Sequence, residues 1–214
     1  MAIEDEDGAA RVLSLPEVQS RLNRVQPQAL LDLGCGDALC LALLYHRHGP
    51  KRLVGVERWS EEEVLSSRES EYRSLHEAYL AHMRFEDESM PIQNAEDFRT
   101  ILGLQMGLSI EEYLRSCSER FDLVICSDVL HYIGKRAVLD QVLWGIRTVL
   151  SEEGLFFLRV IERPGDAPGW SELEDYGFDE LESLVAQHLG MRPGYRQVNC
   201  RPHNSARVWA FCNF

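Results

Sequence analysis

Two periods of hydrophobic and polar residues alternate along the chain. Short, nearly unbroken apolar runs occur at 29–34 (ALLDLG), 52–57 (RLVGVE), 101–106 (ILGLQM), 121–128 (FDLVICSD) and 154–162 (GLFFLRVIE). Runs of this length, rich in Val, Ile, Leu and Phe, predict strands buried on both faces. Between them lie segments with helical spacing. Residues 14–25 open with Ser14 as N-cap, Pro16 in the first turn and Glu17 three residues on. Residues 37–49 end on Gly49, a helix stop. Residues 60–83 start at a capping box, Ser60 and Glu63, and Leu65, Tyr72, Leu75, Tyr79 and Met83 recur on one face, which predicts a single long amphipathic helix. Ser109 and Glu112 repeat the capping pattern before a helix at 111–117, and further helices are expected at 135–150 and 177–190. Residues 84–100 are polar and contain Pro91, so a loop with a short helix is expected there. Residues 195–200 and 206–214 end the chain as a hairpin.

Strands that alternate with helices in this way predict an α/β fold with a doubly wound, mostly parallel sheet and an antiparallel C-terminal hairpin. The length of 214 residues suits one domain, with residues 1–28 as a helical N-terminal extension and 84–100 as an insertion.

Composition narrows the function. The formal net charge of −13 disfavours an extensive nucleic-acid footprint, since phosphates recruit Lys and Arg. A small-molecule or protein substrate fits better. The six cysteines form no C-x-x-C pair and no zinc-finger spacing, so reduced thiols of a cytoplasmic protein and no metal site are expected. The N-terminus is acidic, without the apolar core of a signal peptide, and no apolar run is long enough to span a bilayer.

The candidate chemistry begins with two carboxylates. Asp32 stands inside an apolar strand, two residues before Gly34-Cys35-Gly36, and Glu57 ends the next strand, 25 residues after Asp32. Glycines at a strand-to-helix turn admit a ligand close to the backbone, and an acid at the end of the second strand can accept hydrogen bonds from ribose hydroxyls. The pair suggests a nucleoside-containing cofactor. A dinucleotide fingerprint needs a third glycine where this chain has Leu39, and no triphosphate loop is present.

The D-x-G-x-G pattern of "DLGCG" resembles the first motif of the class I S-adenosylmethionine-dependent methyltransferases. The resemblance extends to "LVGVER" at the second strand, "FDLVICSDVLHYI" at the fourth and "VLSEEGLFFLRV" at the fifth, and so runs from Ala29 almost to the end. It implies a Rossmann-like methyltransferase fold with a seven-stranded sheet and S-adenosyl-L-methionine as cofactor. It also implies site residues. Asp32 with the backbone of Gly34, Cys35 and Gly36 would hold the methionine end. Glu57 would bind the ribose, and Arg58 or Trp59 would flank the adenine. Where many relatives place an acid against the adenine, this chain has Ser109 and Ile110. Ser127 and Asp128 would line the methyl-donor pocket, with Asp128 and His131 as catalytic candidates and Tyr132 facing the substrate.

Other readings of these residues stay open. His131 is either a base or substrate orienter, or a hydrogen-bonded histidine without chemistry. Cys126 alternates within a strand and lacks the preceding proline of cytosine-carbon methylases, which favours core. "SDVLHY" lacks the two prolines of many amino-group methylases of nucleic acids. Trp170 and Tyr176 either contact substrate or cover the sheet. Besides a methyltransferase acting on a small molecule or protein side chain, a tRNA or rRNA methyltransferase and a catalytically silent cofactor-binding module remain as alternatives.

Overall fold

The structure is a computed structural model that describes residues 16–67, 72–82, 92–133, 135–161, 178–200 and 205–212. Five strands, β1 (Ala29–Leu33), β2 (Arg52–Glu57), β3 (Leu104–Met106), β4 (Phe121–Ser127) and β5 (Leu150–Ile161), form a parallel sheet in the order β3-β2-β1-β4-β5. Two more strands, β6 (Arg192–Cys200) and β7 (Ser205–Cys212), continue it in antiparallel sense, with β7 paired to β5.

The apolar runs are buried on both faces because each strand alternates its side chains between two helical layers. One row across the sheet is Leu53, Leu30, Leu123 and Leu155; the row on the opposite face is Val54, Leu31, Val124 and Phe156. The first row faces α1 (Pro16–Val25), α2 (Leu39–His48), α3 (Glu61–Ser67), α4 (Leu75–His82) and α5 (Ala95–Ile101). The second faces α6 (Ile110–Ser116), α7 (Arg136–Val149) and α8 (Phe178–Leu189). Leu39 to Leu44 are all buried, which explains why the first six residues of α2 are apolar on every side before the basic last turn His46-Arg47-His48.

Two expectations are corrected. Residues 60–83 are not one helix: α3 ends at Ser67 and α4 starts at Leu75. A second helix start lies inside the segment. Ser74 Oγ accepts from the Glu77 N–H at 3.1 Å, and the Glu77 carboxylate accepts from the Arg73 N–H at 2.7 Å. Glu61, in the first turn of α3, accepts the Leu75 N–H at 2.9 Å, so the chain has to double back. Leu65, Leu75 and Tyr79 reach the same core from both helices, which is why the apolar period runs on across the break. Likewise 101–106 is not all strand. Asn94 caps α5 by accepting from the Glu96 and Asp97 N–H groups, the helix runs through Ile101, and Gly103 turns at φ 56°, so only Leu104–Met106 pairs. The Ser14 cap lies outside the described residues. Among those described, no helix is long and apolar enough to cross a membrane.

The order of strands reverses between β1 and β4, which opens a crevice at their carboxyl ends. At the opposite end, Asp122 ties three strands together. Its Oδ2 accepts the Gln28 and Ala29 N–H groups at 2.9 and 3.1 Å, and its Oδ1 accepts from Ser151 Oγ at 3.2 Å. Asp122→Ala leaves these donors without their acceptor and is expected to cost about 2–3 kcal/mol, since hydrogen bonds to a charged group contribute about 1.5–3 kcal/mol. Urea denaturation of the variant checks this; an unchanged midpoint refutes it.

Candidate functional site

The crevice is a cavity of about 730 Å³ lined by residues from the ends of β1, β2 and β4, the start of α6 and the start of α7. Its floor is the loop after β1. Gly34, Gly36 and Ala38 all have positive φ (81°, 54° and 61°), so the chain folds back tightly between strand and helix. A β-carbon on Gly34 would collide with the Val129 side chain packed against it, so the glycine is needed there for space as well as for backbone conformation. The Gly34 and Cys35 N–H groups both donate to the Val56 carbonyl, at 2.8 and 3.1 Å, which fixes the loop to β2.

Three carboxylates are buried around this loop: Asp32 at 3% exposure, Asp37 at 6% and Glu57 at 8%. Buried charge requires hydrogen-bonding partners. Glu57 Oε2 accepts from the Gly36 N–H at 3.0 Å, and its Oε1 from the Trp59 N–H at 3.2 Å. Asp37 Oδ1 accepts from the Leu39 N–H at 3.3 Å, at the start of α2. The negative potential is registered by Cys35, whose thiol is pushed well above the ordinary thiol range, by burial first and then by Asp32, Glu57 and Asp37. Cys126 is buried one strand away and also raised, by burial and then by Asp32 and Asp128, in keeping with a core role.

The wall on the β2 side carries Arg58 and Trp59, with the Arg58 guanidinium 5.0 Å from the centre of the Trp59 ring. Ser109 and Ile110 meet them there. The Ser109 hydroxyl is committed to the capping box of α6, donating to Glu112 Oε2 at 2.8 Å and accepting the Glu112 N–H. The loop holding it is tied down by Gly107 N–H to the Trp59 carbonyl (3.1 Å) and Leu108 N–H to the Glu57 carbonyl (3.0 Å).

The β4 wall is formed by Ser127, Asp128, Val129, Tyr132 and Ile133, with Lys135 and Val138 from the start of α7. Asp128 has left-handed backbone, φ 59°, and forms an ion pair with Arg159 of β5. The Tyr132 hydroxyl is raised above its usual range by burial, then by the negative charge of Asp128, with Arg58 opposing. A short 3₁₀ turn, Leu130–Tyr132, carries His131, whose side chain lies outside the described residues, as do Trp170 and Tyr176.

Thus the structure brings Asp32, Gly34, Cys35, Gly36, Glu57, Arg58, Ser109, Ile110, Ser127 and Asp128 to one cavity. Sequence reasoning passed over Asp37, Lys135 and Arg159. Arg159 had a signal, being the one charge within the apolar run 155–161. Among the described residues no group of three or more His, Cys, Asp or Glu side chains could hold a metal ion.

No family model and no curated protein matches the chain. Solved structures do. The 1,6-didemethyltoxoflavin-N1-methyltransferase of Burkholderia thailandensis, with bound 1,6-didemethyltoxoflavin and S-adenosylhomocysteine, superposes with a TM-score of 0.63 at 19% identity, over 97% of this chain and 79% of that one. The N-methyltransferase NodS of Bradyrhizobium japonicum WM9, in complex with S-adenosylhomocysteine, gives 0.55 at 14% identity, over 97% and 93%. An S-adenosylmethionine-dependent methyltransferase of Clostridium acetobutylicum gives 0.57 at 13%, over 98% and 92%. At these identities the likeness is one of fold.

The raised Cys35 thiol stays protonated at pH 8 and is therefore a poor nucleophile. In the folded protein at pH 8, iodoacetamide is expected to leave Cys35 unmodified, as read by peptide mass spectrometry, and to label it after unfolding in urea. Rapid labelling of the native chain contradicts this.

Proposed function

We propose that this chain, which has the fold of the class I S-adenosylmethionine-dependent methyltransferases, binds S-adenosylmethionine in the β1–β4 crevice and transfers its methyl group to a small molecule or a protein side chain. The observation that carries the reading is the trio of buried carboxylates around the glycine loop. A sulfonium and an ammonium are favoured at such a site, and the pyrophosphate of a dinucleotide is repelled. When bound, the cofactor supplies an electrophilic methyl group with a neutral thioether as leaving group.

The chain's own residues then bind and orient. Asp32 takes the methionine end, with the backbone of Gly34, Cys35 and Gly36 beside it. Glu57 takes the ribose. Each of its oxygens holds one backbone N–H, and a carboxylate oxygen can accept a second donor. Arg58 or Trp59 flanks the adenine, whose edge meets backbone groups near Ser109 and Ile110, since the Ser109 hydroxyl is occupied. On the β4 side Ser127 and Asp128 bound the methyl-transfer position, and His131 and Tyr132 face the acceptor. His131 serves as orienter or base, and Asp128 as a fixed carboxylate paired with Arg159. Positioning alone supplies much of the rate for an acceptor that is already nucleophilic.

The reading takes in the whole chain as one domain, with 1–28 as a helical extension and 84–100 as an insertion, and a seven-stranded sheet closed by the β6–β7 hairpin. The pairing of β7 with β5 supports the last of these. The thiols of Cys35, Cys117 and Cys126, which form no disulfide, support a reducing, cytoplasmic setting. The net charge of −13 and the small-molecule substrate of the Burkholderia enzyme favour a small acceptor over tRNA or rRNA.

Incubation with methyl-labelled S-adenosylmethionine and a metabolite extract tests the activity. Transfer of label to an extract component, with S-adenosylhomocysteine formed, is expected; binding without transfer would instead make the chain a silent cofactor-binding module. Glu57→Ala is expected to weaken S-adenosylhomocysteine by about tenfold or more for each ribose hydrogen bond lost, at about 1.5–3 kcal/mol each. Unchanged affinity in a folded variant removes Glu57 from the ribose.

A further inference from the structure

The turn after β4 is held in an unusual way. Asp128 is one of three non-glycine residues with positive φ among the described residues, and it is the one at the carboxyl end of β4. Left-handed backbone is disfavoured for a non-glycine residue, and it persists where the surroundings over-determine it. Here Arg159 acts on it from two directions. The Asp128 N–H donates to the Arg159 carbonyl at 2.9 Å, and the Arg159 guanidinium pairs with the Asp128 carboxylate. Arg159 lies next to Ser127 in the β4–β5 register, and its side chain is only 15% exposed, within a strand otherwise apolar from Leu155 to Ile161. A charge in that position needs a partner, and the partner is in the cavity wall.

The consequence reaches the glycine loop. With Asp128 left-handed, the next residue, Val129, turns inward, and its side chain occupies the space where Gly34 has no β-carbon. Val129 and Gly34 both line the cavity. A continuous series of contacts therefore runs from Arg159 through Asp128 and Val129 to the glycine loop, joining the acceptor wall to the cofactor floor. We infer that Arg159 is a positioning residue: it holds Asp128 left-handed and thereby sets the distance between the β4 wall and the Gly34–Gly36 loop. The inference rests on the cofactor reading above and adds to it a residue outside the cavity lining.

Glycine adopts left-handed backbone without strain, so the Asp128→Gly change removes both the need for the arginine and the carboxylate that it neutralises. Three variants, Arg159→Leu, Asp128→Gly and the double variant, are titrated with S-adenosylhomocysteine alongside the wild type and Asp122→Ala. Thermal unfolding of each is recorded. Arg159→Leu is expected to weaken binding by about tenfold or more, the scale on which misplaced walls act. Asp122→Ala, at the far end of the sheet, is expected to lose stability without losing affinity. The double variant is expected to bind within about threefold of Asp128→Gly alone, which is the non-additivity of residues acting as one unit. Such rescue is not produced by a general loss of packing. Wild-type affinity in folded Arg159→Leu overturns the proposal, as does a double variant about tenfold weaker than Asp128→Gly. The comparison of those last two decides the matter even where Arg159→Leu fails to fold. A wild-type chain that binds no S-adenosylhomocysteine overturns the cofactor reading and this proposal with it.

Discussion

Three carboxyl groups are held nearly out of water at the carboxyl ends of two neighbouring strands, and the rest of the site follows from that constraint. A buried carboxylate is tolerated only where donors reach it. For Glu57 the donors are the backbone N–H groups of Gly36 and Trp59, so the glycine loop and the chain after β2 have to converge on it. For Asp37 the donor is the first residue of α2. The tight turn at Gly34 and Gly36, the docking of that loop on Val56 and the small residue Gly55 beside Asp32 in the register all serve the same convergence. What results is a concave, negatively charged floor at the point where the sheet changes direction, suited to a cationic ligand with hydroxyls at one end.

The two ends of the sheet divide the labour. At the amino ends, Asp122 satisfies backbone donors of the chain entering β1 and a hydroxyl of β5, an arrangement that joins three strands at the end of the sheet opposite the β1–β4 crevice. At the carboxyl ends, Gly34 and Gly36 turn at positive φ without strain, and the non-glycine residues Ala38 and Asp128 adopt it as well. Strain at such non-glycine positions collects where a ligand must approach the backbone. The ion pair of Arg159 with Asp128 is the support that such a position needs, supplied by the adjacent strand.

Much of this was legible in the sequence because it is local. The apolar runs of β1, β2, β4 and β5 are continuous, and the carboxylates stand at fixed offsets from the glycines; Ser109 and Glu112 form the capping box that their spacing announces. What was not legible is non-local. The break between α3 and α4 is set by Glu61 accepting from Leu75, and the apolar positions keep helical phase across it because both helices feed one core. The strand at 101–106 shrinks to three residues because Asn94 caps a helix that runs into it. Asp128 and Arg159 are 31 residues apart and meet only once β4 and β5 pair side by side. The acid at 37 follows the glycines directly, yet its burial depends on how α2 settles on the sheet.

The central claim is that the cavity selects its ligand by charge. Calorimetric titration of the purified chain with S-adenosylmethionine, S-adenosylhomocysteine and NAD under identical conditions tests it most directly. Saturable one-to-one binding of the two sulfur compounds, with no heat of binding for NAD, is the expected result. Binding of NAD, or no binding of S-adenosylmethionine by the folded chain, would contradict it.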